Sequence, residues 1–359
     1  MKLDTEKDIW SRLASQKEKK IVMYGMGNGA DKILRVCDKR GIPVSDFFAS
    51  DGFVRGQLFH GKHVMSFSEI KEKYGADNII VLVAFATSLP EVEQAIERVA
   101  AECELYVPDV PVFGEEVFDS EFCAKHADEL REVYGLWADE ASREVYESII
   151  KYRLGATLGE LQRVVTDKSV IYSDLLCTDR IVTAVDAGAY NGDTVRELAD
   201  VAPRLSDVFA LEPDARNFAK LSEYAASETR FKVIPVQSAA WSEACELPYD
   251  ASGNRNACVG TGGKRTRTVS AVTIDSLCTN RCDYIKYDVE GSEREALLGS
   301  ARTIEDHRPS LLVSGYHHAR DIFSLPLLIH SLCPSYKLYL RRCRCIPAWD
   351  INIIAHMEK

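Results

Sequence analysis

Apolar positions in this chain fall into short continuous runs that alternate with longer stretches of helical spacing. Near the start, Ile21 to Tyr24 is a strand-length run, Gly25, Gly27 and Gly29 predict a turn, and Ala30 to Arg40 has helical periodicity. "VSDFFASD" predicts a second strand ending at Asp51, and "HVMSFSEIKEKYG" a helix from near Ser66. "NIIVLVAFAT" reads as a buried strand, followed by a helix in "PEVEQAIERVAAEC" and a strand in "ELYVPDV". This rhythm builds a parallel sheet with helices on its faces, so residues 1–110 are expected to form one Rossmann-like domain. Residues 111–180, including "ADELREVYGLWADEASREVYESIIKYRLG", keep helical spacing without strand-like alternation and predict a helical connector. A second strand–helix series opens at "RIVTAVDAGAY" and makes residues 181–359 a further domain. The fold class is α/β, with two Rossmann-like domains.

Composition narrows the partners. The 359 residues are 46% hydrophobic and 28% charged, with a net charge of −11, which argues against broad binding to nucleic acid or an anionic membrane. No apolar run approaches the ~20 residues of a membrane span. The polar opening "MKLDTEKDIWSRLASQKEKK" lacks the apolar centre of an export signal. Eleven cysteines, an odd number set mostly in apolar segments, read as reduced core thiols of a cytoplasmic protein. Cys278, Cys282, Cys343 and Cys345 lack the CxxC spacing of most zinc ribbons, so no structural metal is expected from them. The glycine-rich stretch from Tyr249 to Val269 carries Arg255, Lys264, Arg265 and Arg267 and reads as a solvated hairpin, with a mobile flap over an acceptor as the rival. Arg341, Arg342 and Arg344 are expected on an exposed face.

Chemistry concentrates in the second series. "VDAGAYNGDTV" turns from strand to helix through glycines that do not match G-x-G-x-x-G, and its acids would repel a pyrophosphate. A ligand with cationic groups and no phosphate suits it better, and S-adenosyl-L-methionine is such a ligand. Gly188 lets the backbone approach, and the Asp186 carboxylate is placed to hold an ammonium. Asp186, Gly188, Tyr190 and Asp193 are the candidate cofactor cradle. "VFALEPDARNFAKL" is a strand ending in Glu212, about 20 residues on, where a carboxylate accepts ribose hydroxyls. The third strand ends near Ser238 and Ala239, the expected place for adenine. Asp275 reads as a turn or cap residue. "YIKYDVEGSE" puts Asp288 at the carboxyl end of the fourth strand with Glu290 beside it, and "PSLLVSGYHH" ends the fifth in Tyr316, His317 and His318. Ligands of open α/β sheets bind beyond these strand ends. The tail reads as two strands joined by a proline-containing turn.

Residues 181 to 356 resemble the FkbM family of S-adenosylmethionine-dependent methyltransferases. The resemblance lies in "VDAGAYNGDTV", "ALEPDARNFAKL", "VTIDSL", "YIKYDVEGSEREALLGS" and "YHHARDIFSLPLLI", in that order. It implies a class I methyltransferase sheet closed by an antiparallel hairpin, and O-methylation of a sugar or natural-product hydroxyl. It does not cover residues 1 to 180.

Methyl transfer to a hydroxyl needs alignment of the reactants and removal of one proton. Asp288, Glu290 and His317 are the candidate catalytic residues. The same three could ligate a divalent cation, but nothing in their spacing demands one, and no metal is expected. Two other readings stay open. The N-terminal "GMGNGADK", with Asp51 downstream, allows an enzyme that binds a nucleotide or sugar nucleotide there; otherwise that domain is structural or makes a homo-oligomer. The chain could also be a non-catalytic binding protein. The favoured partner is a small-molecule acceptor, with no nucleic acid and no membrane.

Overall fold

The computed structural model describes residues 8–250 and 266–358. Its first sheet is parallel in the order β2-β1-β5-β6, from β1 (Lys20–Tyr24), β2 (Val44–Phe48), β5 (Ile79–Val83) and β6 (Glu104–Tyr106). A small hairpin, β3 (Leu58–Phe59) and β4 (Lys62–His63), lies between β2 and β5. Gly25 and Gly27 adopt φ of +117° and +122° in the turn after β1. A Cβ on Gly29 would sit 2.3 Å from the Ala84 carbonyl, so only glycine lets the next helix, Asn28–Lys39, start against the end of β5. That helix buries Ala30, Ile33 and Cys37, and helix Phe67–Tyr74 starts on a Ser66/Glu69 capping box as the sequence predicts.

Residues 120–163 are helical. Helix Glu140–Gly155 turns Val145, Tyr146, Ile149 and Ile150 inward, and its Ser142 hydroxyl accepts the Leu340 N–H of the second sheet at 3.0 Å. That second sheet has the order β15-β16-β14-β13-β7-β8-β9. Five strands run parallel: β7 (Thr183–Ala187), β8 (Asp207–Leu211), β9 (Lys232–Val236), β13 (Tyr284–Tyr287) and β14 (Ser310–Ser314). The closing strand β16 (Ile351–His356) inserts antiparallel between β14 and β15 (Lys337–Arg342), which is the antiparallel addition the resemblance implies. A three-stranded sheet of β10 (Ala239–Ala240), β11 (Cys245–Asp250) and β12 (Thr266–Val272) stands to one side. Its β11–β12 pair forms the arms of the expected hairpin, with Arg267 opposite Tyr249; Arg255, Lys264 and Arg265 lie outside the described residues. No described helix is long and apolar enough to cross a membrane.

One apolar cluster joins the two large sheets. It runs from Val22 and Val81 through Trp137 and Ile149 to Val185, Ile285 and Val313. The arginine expectation fails here. Arg344 is exposed, but Arg341 and Arg342 are buried, because the 120–163 helices cover the outer edge of β15. Arg341 pairs with Asp139 at 2.6 Å, and Arg342, 2% exposed, donates to the Leu161 carbonyl at 2.9 Å. Cys278 and Cys282 share one apolar cluster and Cys343 belongs to another, so the four-cysteine group does not assemble; the ten described cysteines are all free.

Candidate active site

The site is built on the carboxyl ends of neighbouring parallel strands. After β7 the chain reverses at Gly188, whose φ is +94°. A Cβ there would lie 1.9 Å from the Asp288 carbonyl, so the turn presses directly on the end of β13. Gly188 and Ala189 donate their N–H groups to the Leu211 carbonyl, and Glu212 donates its own to Val236, which draws the ends of β7, β8 and β9 together. Gly192 then opens helix Asp193–Val201, with Asp193 in its first turn; Tyr190 is half exposed at φ +47°.

Each expected cofactor residue occupies this edge. Glu212 is buried, its carboxylate accepting the Asp214 N–H at 2.8 Å. Burial pushes its carboxyl up to about 7, against the pull of backbone N–H donors from Asp214 and Tyr190. Ser238 and Ala239 are buried where β9 passes into β10. Asp186 is buried as well, but its carboxylate already has partners. The Thr194 hydroxyl donates to one oxygen, and the Lys286 ammonium lies 3.2 Å from the other. Lys286 is a full cation in the sheet interior: burial would strip its proton, but Asp186 and Asp288 hold it well above the usual lysine value.

Lys286 on β13 and Asp288 just past its end are two residues apart, and Nζ lies 3.8 Å from the Asp288 carboxylate. Beyond Asp288 the backbone makes a tight turn, with Glu290 at φ +53° and Gly291 at +93°, and enters helix Glu293–Leu298. Glu293 folds back under the turn and accepts the Val289 N–H at 2.9 Å. His317 comes in from the end of β14. Its Nδ1 lies 2.9 Å from Glu293, and its Nε2 is 3.7 Å from Asp288 and 3.6 Å from Glu290. The Tyr316 hydroxyl donates to Asp288 at 3.5 Å.

The charge state of this cluster follows from its geometry. His317 and Glu293 are each 1% exposed. Burial would pull the imidazole down, but Glu293, Asp288 and Glu290 together raise it to about 10. The surrounding carboxylates thus favour the charged imidazolium of His317. Asp288 is half buried; burial would raise it, but Lys286 and His317 hold it below the usual carboxylate range. Asp288, Glu293 and His317 offer ligand atoms within 4.8 Å of one another, a spacing a cation could use, though the proton on His317 already balances these carboxylates.

The structure thus gathers Asp288, Glu290 and His317 into one cluster and the cofactor candidates along the adjoining strand ends. Sequence reasoning missed Lys286 and Glu293. A lysine inside the apolar run "DYIKYD", two positions from Asp288, was the available signal for the first. Glu293 looks like any acid in the first turn of a helix. Asp275 lies in the short helix Ile274–Leu277 ahead of β13, and its carboxylate accepts the Arg302 and Thr303 N–H groups at the start of helix Ala301–His307 rather than capping the approach to that strand. In the first sheet Asp51 opens an exposed single turn, and Asp31 in the first turn of helix Asn28–Lys39 pairs with His60 at 2.7 Å.

Residues 186–343 match the methyltransferase FkbM domain family. The crystal structure of methyltransferase FkbM from Methylobacillus flagellatus KT is similar in fold with a TM-score of 0.74, covering 95% of this chain and 90% of that one at 20% identity. An rRNA methylase from Streptococcus thermophilus gives a TM-score of 0.34 at 11% identity, over 53% of this chain and 93% of its own. Fibrillarin from Aeropyrum pernix, with natively bound S-adenosyl-L-methionine, gives 0.32 at 11% identity, over 50% and 68%. No curated protein sequence matches the chain.

Proposed function

We propose that this chain, an S-adenosylmethionine-dependent methyltransferase by its FkbM domain, binds its cofactor on the 186–193 turn and methylates a hydroxyl of a small, neutral, sugar-like acceptor. The observation that carries the reading is the contact of Gly188 with the backbone of Asp288. A ligand held on the turn would lie next to that carboxylate. The residues suit such a ligand: Glu212 is a buried carboxylate free to accept the two ribose hydroxyls, and Ser238 and Ala239 edge the next strand. Asp186 is committed to Lys286 and Thr194, so its role is to fix the turn while backbone groups meet the methionine end.

The sulfonium supplies the methyl group and the driving force. Asp288 accepts the acceptor's hydroxyl proton and aligns the oxygen. A hydroxyl oxygen that takes up a methyl group would become a strong acid, so a carboxylate held low would still be a sufficient base. The proton passes to Asp288 and then to water. His317 and Lys286 keep Asp288 ionised, and Glu293 keeps His317 charged. The Lys286 and His317 cations beside Asp288 are already paired with carboxylates, which suits a neutral acceptor over a phosphorylated one. The test is calorimetric titration with S-adenosylhomocysteine, with NAD in parallel, followed by methyl-label transfer to a set of methyl glycosides. Saturable binding of S-adenosylhomocysteine and label in an O-methyl product are expected; binding of NAD alone would overturn the assignment.

A further inference from the structure

Phe113, Tyr316 and Trp349 come from three separate segments, and all three side chains are partly exposed. They form a ribbon of tilted rings around the buried His317. The Phe113 and Tyr316 rings lie 5.8 and 4.2 Å from the His317 ring, and Trp349 stacks 6.5 Å from Tyr316 at an interplanar angle of 23°. At the foot of this ribbon stand Asp288 and Glu290, flanking His317 Nε2.

We propose that Phe113, Tyr316 and Trp349 are the acceptor platform for the ring of a neutral sugar, with Phe113 carried by the strip that leaves β6 and the Trp349 connection braced by the loop after β5. This deepens the function proposed above and rests on it. A pyranose ring has an apolar C–H face and a rim of hydroxyls. The aromatic ribbon covers the first, and the two carboxylates accept hydrogen bonds from the second. Lys286 and His317 already supply the positive charge that an ammonium group would otherwise bring.

Phe113 belongs to the first third of the chain, and the Trp349 connection is tied to it. Phe113 lies on the strip that leaves β6 and is fixed on either side. Asp109 pairs with buried Arg153 at 3.4 Å, Phe113 donates its N–H to the His317 carbonyl at 2.9 Å, and Glu116 pairs with Arg320 at 2.6 Å. Trp349 lies in the β15–β16 connection. There Ile346 exchanges two backbone hydrogen bonds, 2.7 and 2.8 Å, with Thr87 from the loop that follows β5. Thr87 is thus a positioning residue that acts on the platform through Ile346.

The experiment is saturation-transfer difference NMR on the full chain loaded with S-adenosylhomocysteine. The probes are the methyl pyranosides of glucose, galactose, mannose and rhamnose, with glucose 1-phosphate and methyl glucosaminide as charged comparisons. A saturable signal from at least one neutral pyranoside is expected, strongest on its ring C–H protons. Phe113→Ala and Trp349→Ala should each weaken that signal about fivefold or more, with cofactor-product binding unchanged by calorimetry. Phe113→Leu and Trp349→Phe provide milder versions should either alanine variant fail to fold. Thr87→Pro, which removes the N–H, should weaken the sugar signal, and Thr87→Ala, which keeps it, should not. Neutral pyranosides silent beside bound S-adenosylhomocysteine, or signal from a charged analogue alone, would overturn the assigned acceptor class. Undiminished signal in both alanine variants would overturn the platform and leave the function standing. A wild-type chain that binds no S-adenosylhomocysteine would overturn the reading beneath both.

Discussion

Replacing His317 with glutamine removes the imidazolium set among Glu293, Asp288 and Glu290 and keeps a neutral donor of similar reach. Taking one partner from a buried ion pair costs about 3–5 kcal/mol, the loss expected at pH 7. The pH dependence is the sharper test. Glu293, Asp288 and Glu290 push His317 up to about 10 in the folded chain, against 6.5 for an ordinary histidine. A group raised on folding stabilises fully below its unfolded value and loses that contribution as pH climbs through the folded one. Between 6.5 and 10 the native state holds about one more proton than the unfolded chain, so stability falls by about 1.4 kcal/mol per pH unit. The variant has no such group. The stability gap between wild type and His317→Gln, read from urea denaturation, should therefore narrow by about 2 kcal/mol from pH 7 to pH 8.5. The comparison cancels titration elsewhere in the molecule. A gap that stays constant over this window would mean that the imidazole is neutral, and the charge assignment of the cluster would fall with it.

Three further outcomes follow from the same geometry. Gly188→Ala places a methyl against the Asp288 carbonyl at a backbone angle alanine rarely adopts, so S-adenosylhomocysteine affinity should drop at least tenfold, by about 1.4 kcal/mol or more, in calorimetry. Glu212 must be ionised to accept two ribose hydroxyls and is held at about 7 in the unliganded chain. S-adenosylhomocysteine binding should therefore weaken as pH falls below 7, and Glu212→Gln should bind weakly at every pH with that dependence gone. Asp288→Asn should leave cofactor-product affinity near wild type and lower kcat by about 10²-fold in a methyl-label assay; an equal loss in both would make Asp288 a structural residue only.

The elements that position this site were legible because apolar runs of strand length and glycine turns are local signals. Asp288 and Glu290 could be placed because a strand end followed by glycine and an acid-rich helix start leaves few alternatives. Their electrostatics could not be read, since the state of His317 depends on Glu293, which reaches it only because the 290–291 turn reverses the chain. The misplaced arginines have the same origin. A strand ending "LYLRRCR" looks like an outer edge until helix Glu140–Gly155 covers it, and no local pattern announces which helix will do so. Phe113, in a short strip between helical stretches, gave no signal at all.

The apolar cluster that joins the two large sheets has no internal seam. Trp137 and Ile149, both fully buried, belong to the cluster that packs between the two sheets. The front third is consequently not a detachable module. A chimera that exchanged residues 1–110 for those of a relative would set foreign side chains against an unchanged set of helices and leave a mismatched core. Recombination aimed at new acceptors would have to carry the 120–163 helices along with the first sheet, so the practical unit of exchange is roughly the first 165 residues taken together.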